Sequence, residues 1–284
     1  MDLVIDIFLD ALLDTAKMLP FLFGVYLLIE YLEHKASDKF AAALRRLGPF
    51  GPVGGAAFGC IPQCGFSVAI TNLFSGRLVS LGTLIAVYIA TSDEAIPILL
   101  SNPQSVKYVW RLILAKLVIA VLAGLLVDAV LKFFRKKGNE ENEPYADLCE
   151  NCGCEDHGIV YSAFKHTVQI FIFLFIVSLA LGFAINLLGE ERLNSILMTD
   201  SVFQPFLAAL IGLIPNCSAS VILTNLYVSG SLSFGSVVAG LSTGAGLGLV
   251  VLFKTNKNIK ENIAITVLLY AIGALSGLVI NLVM

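Results

Sequence analysis

The sequence predicts an all-α polytopic membrane protein: two inverted repeats of about five helical pieces each, with broken or re-entrant helices meeting near the bilayer midplane. Three observations carry that prediction. The chain is too apolar for a water-soluble domain, it holds a series of long apolar tracts, and it matches itself at a constant offset of 153 residues. Of 284 residues, 57% are hydrophobic and 14% charged, with a mean hydropathy of +0.87. Soluble domains carry charge on about a quarter of their residues. A net charge of -3, with no basic stripe interleaved by aromatics, argues against a nucleic-acid partner.

The first tract, residues 3–32, opens MDLVIDIFLDALLD, which is acidic where a cleavable signal would be basic, so it is expected to remain in the mature chain. Asp2, Asp6, Asp10 and Asp14 recur every fourth residue. The first three fit an acidic side at the interface; Asp14, with Lys17 one turn on, falls where the spanning run must already have begun. The second tract, 49–76, crowds Pro49, Gly51, Pro52, Gly54, Gly55, Gly59, Pro62 and Gly65 into its first part. Backbone broken in this way is tolerated at membrane depth only where protein or a polar cavity satisfies it. Tracts at 78–101 and 106–132 complete a first repeat, residues 1–132. A hydrophilic linker follows over 133–162, and tracts at 163–188, 202–228, 232–253 and 262–284 make a second repeat, 163–284.

The duplication rests on IPQCGFSVAITNL at 61–73 against IPNCSASVILTNL at 214–226, which pairs polar and breaker residues in one register. At the same offset Phe50 meets Phe203, Pro52 meets Pro205, Gly59 meets Gly212, Gly82 meets Gly235 and Gly124 meets Gly277. An offset of 152 pairs Asp14 with His166 and Lys17 with Gln169. Handedness follows from charge. Lys35, Lys39, Arg45 and Arg46 precede tract two, and Lys132, Arg135, Lys136 and Lys137 follow tract four, so both loops are expected inside. Three tracts cannot separate two loops on one side unless one tract is re-entrant. The copies are then inverted, the linker cytoplasmic and both termini extracytoplasmic, in a multi-pass inner-membrane protein.

The candidate site residues lie on the broken segments. Cys64 and Cys217 are equivalent and follow Pro62 and Pro215, with Gln63 and Asn216 beside them. Ser67, Thr71 and Asn72 match Ser220, Thr224 and Asn225, forming a stripe that either glues helices together or lines a transport path. Asp93 and Glu94 interrupt the third tract. Intramembrane carboxylates point to function, although Asp93 also reads as a helix cap. Arg111 and Lys116 in the fourth tract snorkel or pair with those carboxylates, and Asp128 reads as a solvated or salt-bridged terminus residue. In the linker, Cys149, Cys152, Cys154 and His157 supply three thiolates and an imidazole within nine residues. That spacing suits a tetrahedral ion, as metal capture or sensing or as a structural zinc staple, the remaining reading being a run that holds no ligand.

At these residues the sequence resembles a family of bacterial and archaeal ten-helix heavy-metal exporters, whose members are labelled arsenic efflux proteins or manganese transporters. The resemblance runs through DTAKMLPFLFGVYLLIEYLEH, FGCIPQCGFS, TSDEAIPILLSNP, KHTVQIFIF, GLIPNCSASV and STGAGLGLVVLFK, and covers almost the whole chain. It implies ten helices and efflux. The chain has no phosphate-binding loop, so transport is expected to be secondary, with proton antiport through Asp93 or Glu94 as the coupling. No catalytic residues and no permanently bound cofactor are expected. Thiols with Asp14, His166, Asp93 and Glu94 favour a divalent cation such as zinc, cadmium, manganese or copper as cargo. The alternative is an arsenite or organoarsenical permease. The bilayer and the metal ion are the expected partners; nothing in the sequence supports a homo-oligomer.

Overall fold

The computed structural model describes residues 7–9, 11–13, 15–16, 19–20, 22–24, 26–27, 50–61, 65–92, 95–101, 106–135, 159–188 and 202–283. The described part of 7–27 is helical. Eleven helices follow among the described residues: α1 Gly51–Gly59, α2 Gly65–Ser75, α3 Leu81–Ala90, α4 Ala95–Ser101, α5 Val106–Arg135, α6 Ile159–Leu188, α7 Gln204–Gly212, α8 Cys217–Val228, α9 Phe234–Thr243, α10 Leu247–Thr255 and α11 Ile259–Val283. The chain is thus an all-α, multi-pass helical bundle.

The helix ends reflect local chemistry that recurs at the 153-residue offset. Phe50 and Phe203 stand at the N-caps of α1 and α7, each with a proline in the first turn, where a missing N–H costs nothing. Ser80 and Ser233 cap α3 and α9, accepting from Thr83 N and Ser236 N. A second cap comes from the facing long helix: Asp128 accepts from Gly82 N at 2.8 Å and Asn281 from Gly235 N at 2.9 Å. Asp128 also accepts from Ser80 Oγ at 2.6 Å, so it holds the start of α3 rather than merely facing solvent at a helix end. The turns after α2 and α8 each carry one residue of positive φ, Arg77 and Gly230. Arg77 adopts that conformation while making a two-pronged ion pair with Glu261, at 3.0 and 3.2 Å.

Packing repeats as well. α1 packs on α3 and α3 on α5; α7 packs on α9 and α9 on α11. The matched glycines set these approaches. A Cβ on Gly82 would strike the Gly124 carbonyl, and one on Gly235 the Gly277 carbonyl, so the backbones touch as at small-residue membrane interfaces. The half-helix after each break crosses over: α4 packs on α8 and α10 on α2. One core accordingly joins α4 and α5 to α7, α8 and α9, and the other joins α10 and α11 to α1, α2 and α3.

Burial separates an inner pair of spans from an outer set. The broken spans Leu81–Leu100 and Phe234–Thr255 are 81% and 89% buried, against 22% and 28% for Val106–Phe133 and Ile259–Val283. On the outer helices Trp110, Leu114, Val118, Leu122 and Leu126 lie exposed every fourth residue, and Ile263, Val267, Leu275 and Val279 lie exposed at multiples of four. An apolar stripe of that length is a liability in water and an ordinary surface in lipid.

Candidate functional site

The stripe Ser67, Thr71 and Asn72 occupies the buried face of α2, each residue 1% exposed or less. Four-residue spacing stacks Ser67 under Thr71, and the Thr71 hydroxyl lies 2.5 Å from the Ser67 carbonyl. It lies 2.6 Å from the Tyr88 hydroxyl on α3 and 3.4 Å from the Gly248 carbonyl on α10. A threonine hydroxyl has one proton. With carbonyls claiming it, Tyr88 is the donor to Thr71. Tyr88 is wholly buried. α10 passes this close because residue 248 is glycine: a Cβ there would come within 3.0 Å of both Ser67 Cβ and the Tyr88 ring.

Asn72 sits beside this cluster. Its Oδ1 accepts from Tyr26 Oη at 3.3 Å, while its Nδ2, fully buried, has no hydrogen-bond partner among the described residues. A buried amide left unpaired costs about 1–3 kcal/mol. α2 therefore carries, one residue from the Thr71 cluster and on the side that meets Tyr26, a buried donor with no partner among the described residues, a place suited to a hydrogen-bonding species that enters and leaves.

The second copy keeps the helix and loses the junction. Thr224 bonds the Ser220 carbonyl at 2.7 Å, as Thr71 does Ser67. However, the counterparts of Tyr88 and Gly248 are Leu241 and Ala95, both within an apolar core, and Asn225 is exposed. Asn216 is the N-cap of α8, its Oδ1 accepting from Ser218 N at 3.1 Å. Cys217 begins α8 and Cys60 ends α1; both thiols are free and partly buried.

Lys116, which the sequence leaves either to snorkel or to pair with Asp93 and Glu94, is buried in the bundle, and the pairing falls on residues outside the described ones. Lys116 does not snorkel: its side chain is 0% exposed. Nζ donates to the Thr91 carbonyl at the end of α3 and, at 2.8 Å, to the Leu241 carbonyl in the last turn of α9. It is near enough to act electrostatically on the Cys60 thiol. Arg111, by contrast, is exposed. A lone lysine in the apolar run of α5, opposite Leu269 in the second copy, is the sequence signal for such a role.

Gln63, Cys64, Asp93, Glu94, Asp14, Cys149, Cys152, Cys154 and His157 lie outside the described residues, and His166 belongs to α6 with its side chain outside them. Among the described residues no group of three or more His, Cys, Asp or Glu side chains is placed to hold a metal ion. The chain matches the family ArsP_2, described as "Putative, 10TM heavy-metal exporter", over residues 1–190 and 182–284. No curated protein and no solved structure matches it.

Proposed function

The chain belongs to the ArsP_2 family of heavy-metal exporters, and from that premise we propose that it is a secondary carrier, not a catalyst, whose cargo passes the polar junction of α2, α3 and α10. The buried Nδ2 of Asn72, without a partner among the described residues, carries this reading. Neutral hydroxyls and amides suit a hydroxylated metalloid: arsenite or an organoarsenical is the cargo this chemistry favours. Asp93 and Glu94, two and three residues after Thr91 in the sequence, favour the second reading, a divalent cation exchanged for protons. In proteoliposomes of the purified chain, arsenite flux without zinc, cadmium or manganese flux is expected. Divalent-metal flux alone would select the second reading, and neither flux would overturn both.

Alternating access in this reading uses two inverted repeats. Thr71 on α2 faces Tyr88 on α3 across the short turn at 76–80, so these helices are antiparallel. Thr71 meets Gly248 and Ser75 meets Thr255 at 2.7 Å, so α10 runs along α2 in the same direction. α4 continues the span begun by α3 and so opposes its counterpart α10, which supports inversion. The bonds of Asp128 to Ser80 and Gly82 and of Arg77 to Glu261 bring the α2–α3 turn, the end of α5 bearing Lys132, and the segment of Lys257 and Lys260 to one face. That clustering supports a cytoplasmic linker. An impermeant thiol reagent on sealed cells is expected to miss Cys149, Cys152 and Cys154 until the membrane is opened; rapid labelling from outside would reverse the orientation.

A further inference from the structure

The Lys116 ammonium joins one carbonyl of each repeat. Thr91 closes α3, and Leu241 lies in the last turn of α9, so two equivalent helices bring their C-terminal ends to one nitrogen. Both partners are carbonyls and only accept, so the nitrogen donates to each. Each helix end carries about half a negative charge, and both ends belong to the spans that the rest of the protein buries. Thr91 is 2% exposed and Leu241 is 2% exposed. The counterpart of Lys116 in the second repeat, Leu269, is also fully buried and cannot supply charge, so Lys116 serves both ends. Carbonyls at the ends of broken helices are the ligands with which carriers and channels hold small monovalent cations.

We propose that the Lys116 ammonium is a resident cation: it fills, as part of the chain, the place that a sodium or potassium ion would take between the C-terminal ends of α3 and α9. The protein then needs no monovalent metal ion at this position, and removing the ammonium uncovers a binding site for one. Because the nitrogen ties the two repeats to each other, the same contact holds the broken spans in register. This follows whichever cargo is moved.

The test is the melting temperature of the purified full chain in detergent, for the parent, Lys116→Ala and Lys116→Ser, each in sodium, potassium, ammonium or choline chloride at equal ionic strength. The parent is expected to melt at one temperature in all four salts. Both variants are expected to melt lower than the parent in choline and to recover about 3 °C or more, saturably, in at least one small-cation salt. Choline is too large to enter, so it reports the empty site. The assignment is overturned by a parent that shows the same saturable rise, or by variants that match the parent in choline. It is equally overturned by variants that gain no more from the small cations than from choline, including variants that stay unfolded in every salt.

Discussion

Gly124→Val is expected to leave little folded protein. A Cβ at residue 124 would lie 2.7 Å from the Gly82 carbonyl oxygen, 2.7 Å from Pro52 Cβ and 3.0 Å from Ala86 Cβ. Two of these obstacles are fixed, one being backbone and the other a proline ring. Overpacking a core by a methylene or two costs about 1–3 kcal/mol. Valine adds three carbons against backbone, so about 3 kcal/mol or more is expected, a large part of the roughly 5–15 kcal/mol that holds a domain together. Gly54 has nothing within 4 Å of its virtual Cβ, and Gly54→Ala is the matched control, expected to melt with the parent. Melting temperatures in detergent make the comparison. Equal values for the two variants would mean that α3 and α5 do not meet at Gly82 and Gly124.

Thr71→Val is expected to damage both stability and transport. Valine keeps the shape of threonine and removes the oxygen to which Tyr88 donates at 2.6 Å. The Tyr88 hydroxyl, wholly buried, is then unpaired at a cost of about 1–3 kcal/mol. Tyr88→Phe removes the other half of the bond. The double variant is expected to lose less than the sum of the singles by about 1 kcal/mol, as two residues sharing one interaction should. Flux in the single Thr71→Val variant is expected to fall at least about tenfold, since a shift near 1.4 kcal/mol at the junction suffices. Additive losses across the cycle would sever the proposed link between the two hydroxyls.

Much of this architecture is legible in the sequence because duplication makes local chemistry visible twice. Gly82 with Gly235, Gly124 with Gly277, and Pro52 with Pro205 recur because backbone contact and helix starts demand those residues at those places. The stripe of Ser67, Thr71 and Asn72 is legible for the same reason, and α2 buries it. The difference between its copies is not. Asn72 and Asn225 are the same residue at equivalent positions, yet Asn72 is buried and accepts from Tyr26 while Asn225 is exposed; the threonine before Asn72 meets Tyr88 and Gly248, whose counterparts Leu241 and Ala95 lie in an apolar core.

Lys116 shows the limit most plainly. Two of its partners are backbone carbonyls 25 and 125 residues away, and carbonyls leave no mark in a sequence. Asp128 is similar, since its function depends on the Gly82 amide being brought against α5 by a glycine contact. The composition of α5 announces a spanning helix; which of its polar residues snorkel and which cap or bridge is decided by the helices it touches.

The claim at the centre of this account is that cargo meets Asn72 beside the α2, α3 and α10 junction. Asn72→Leu has nearly the same volume and no amide, so it removes the unmet donor of Nδ2 while filling the site. The direct measurement is the initial rate of arsenite flux into proteoliposomes, parent against Asn72→Leu, at matched protein content and with melting temperatures recorded for both. At least about a tenfold fall in rate is expected in a protein that still folds and melts near the parent, because the lost bond from Tyr26 is offset by removal of the unpaired amide. An unchanged rate in a folded Asn72→Leu protein would contradict the account.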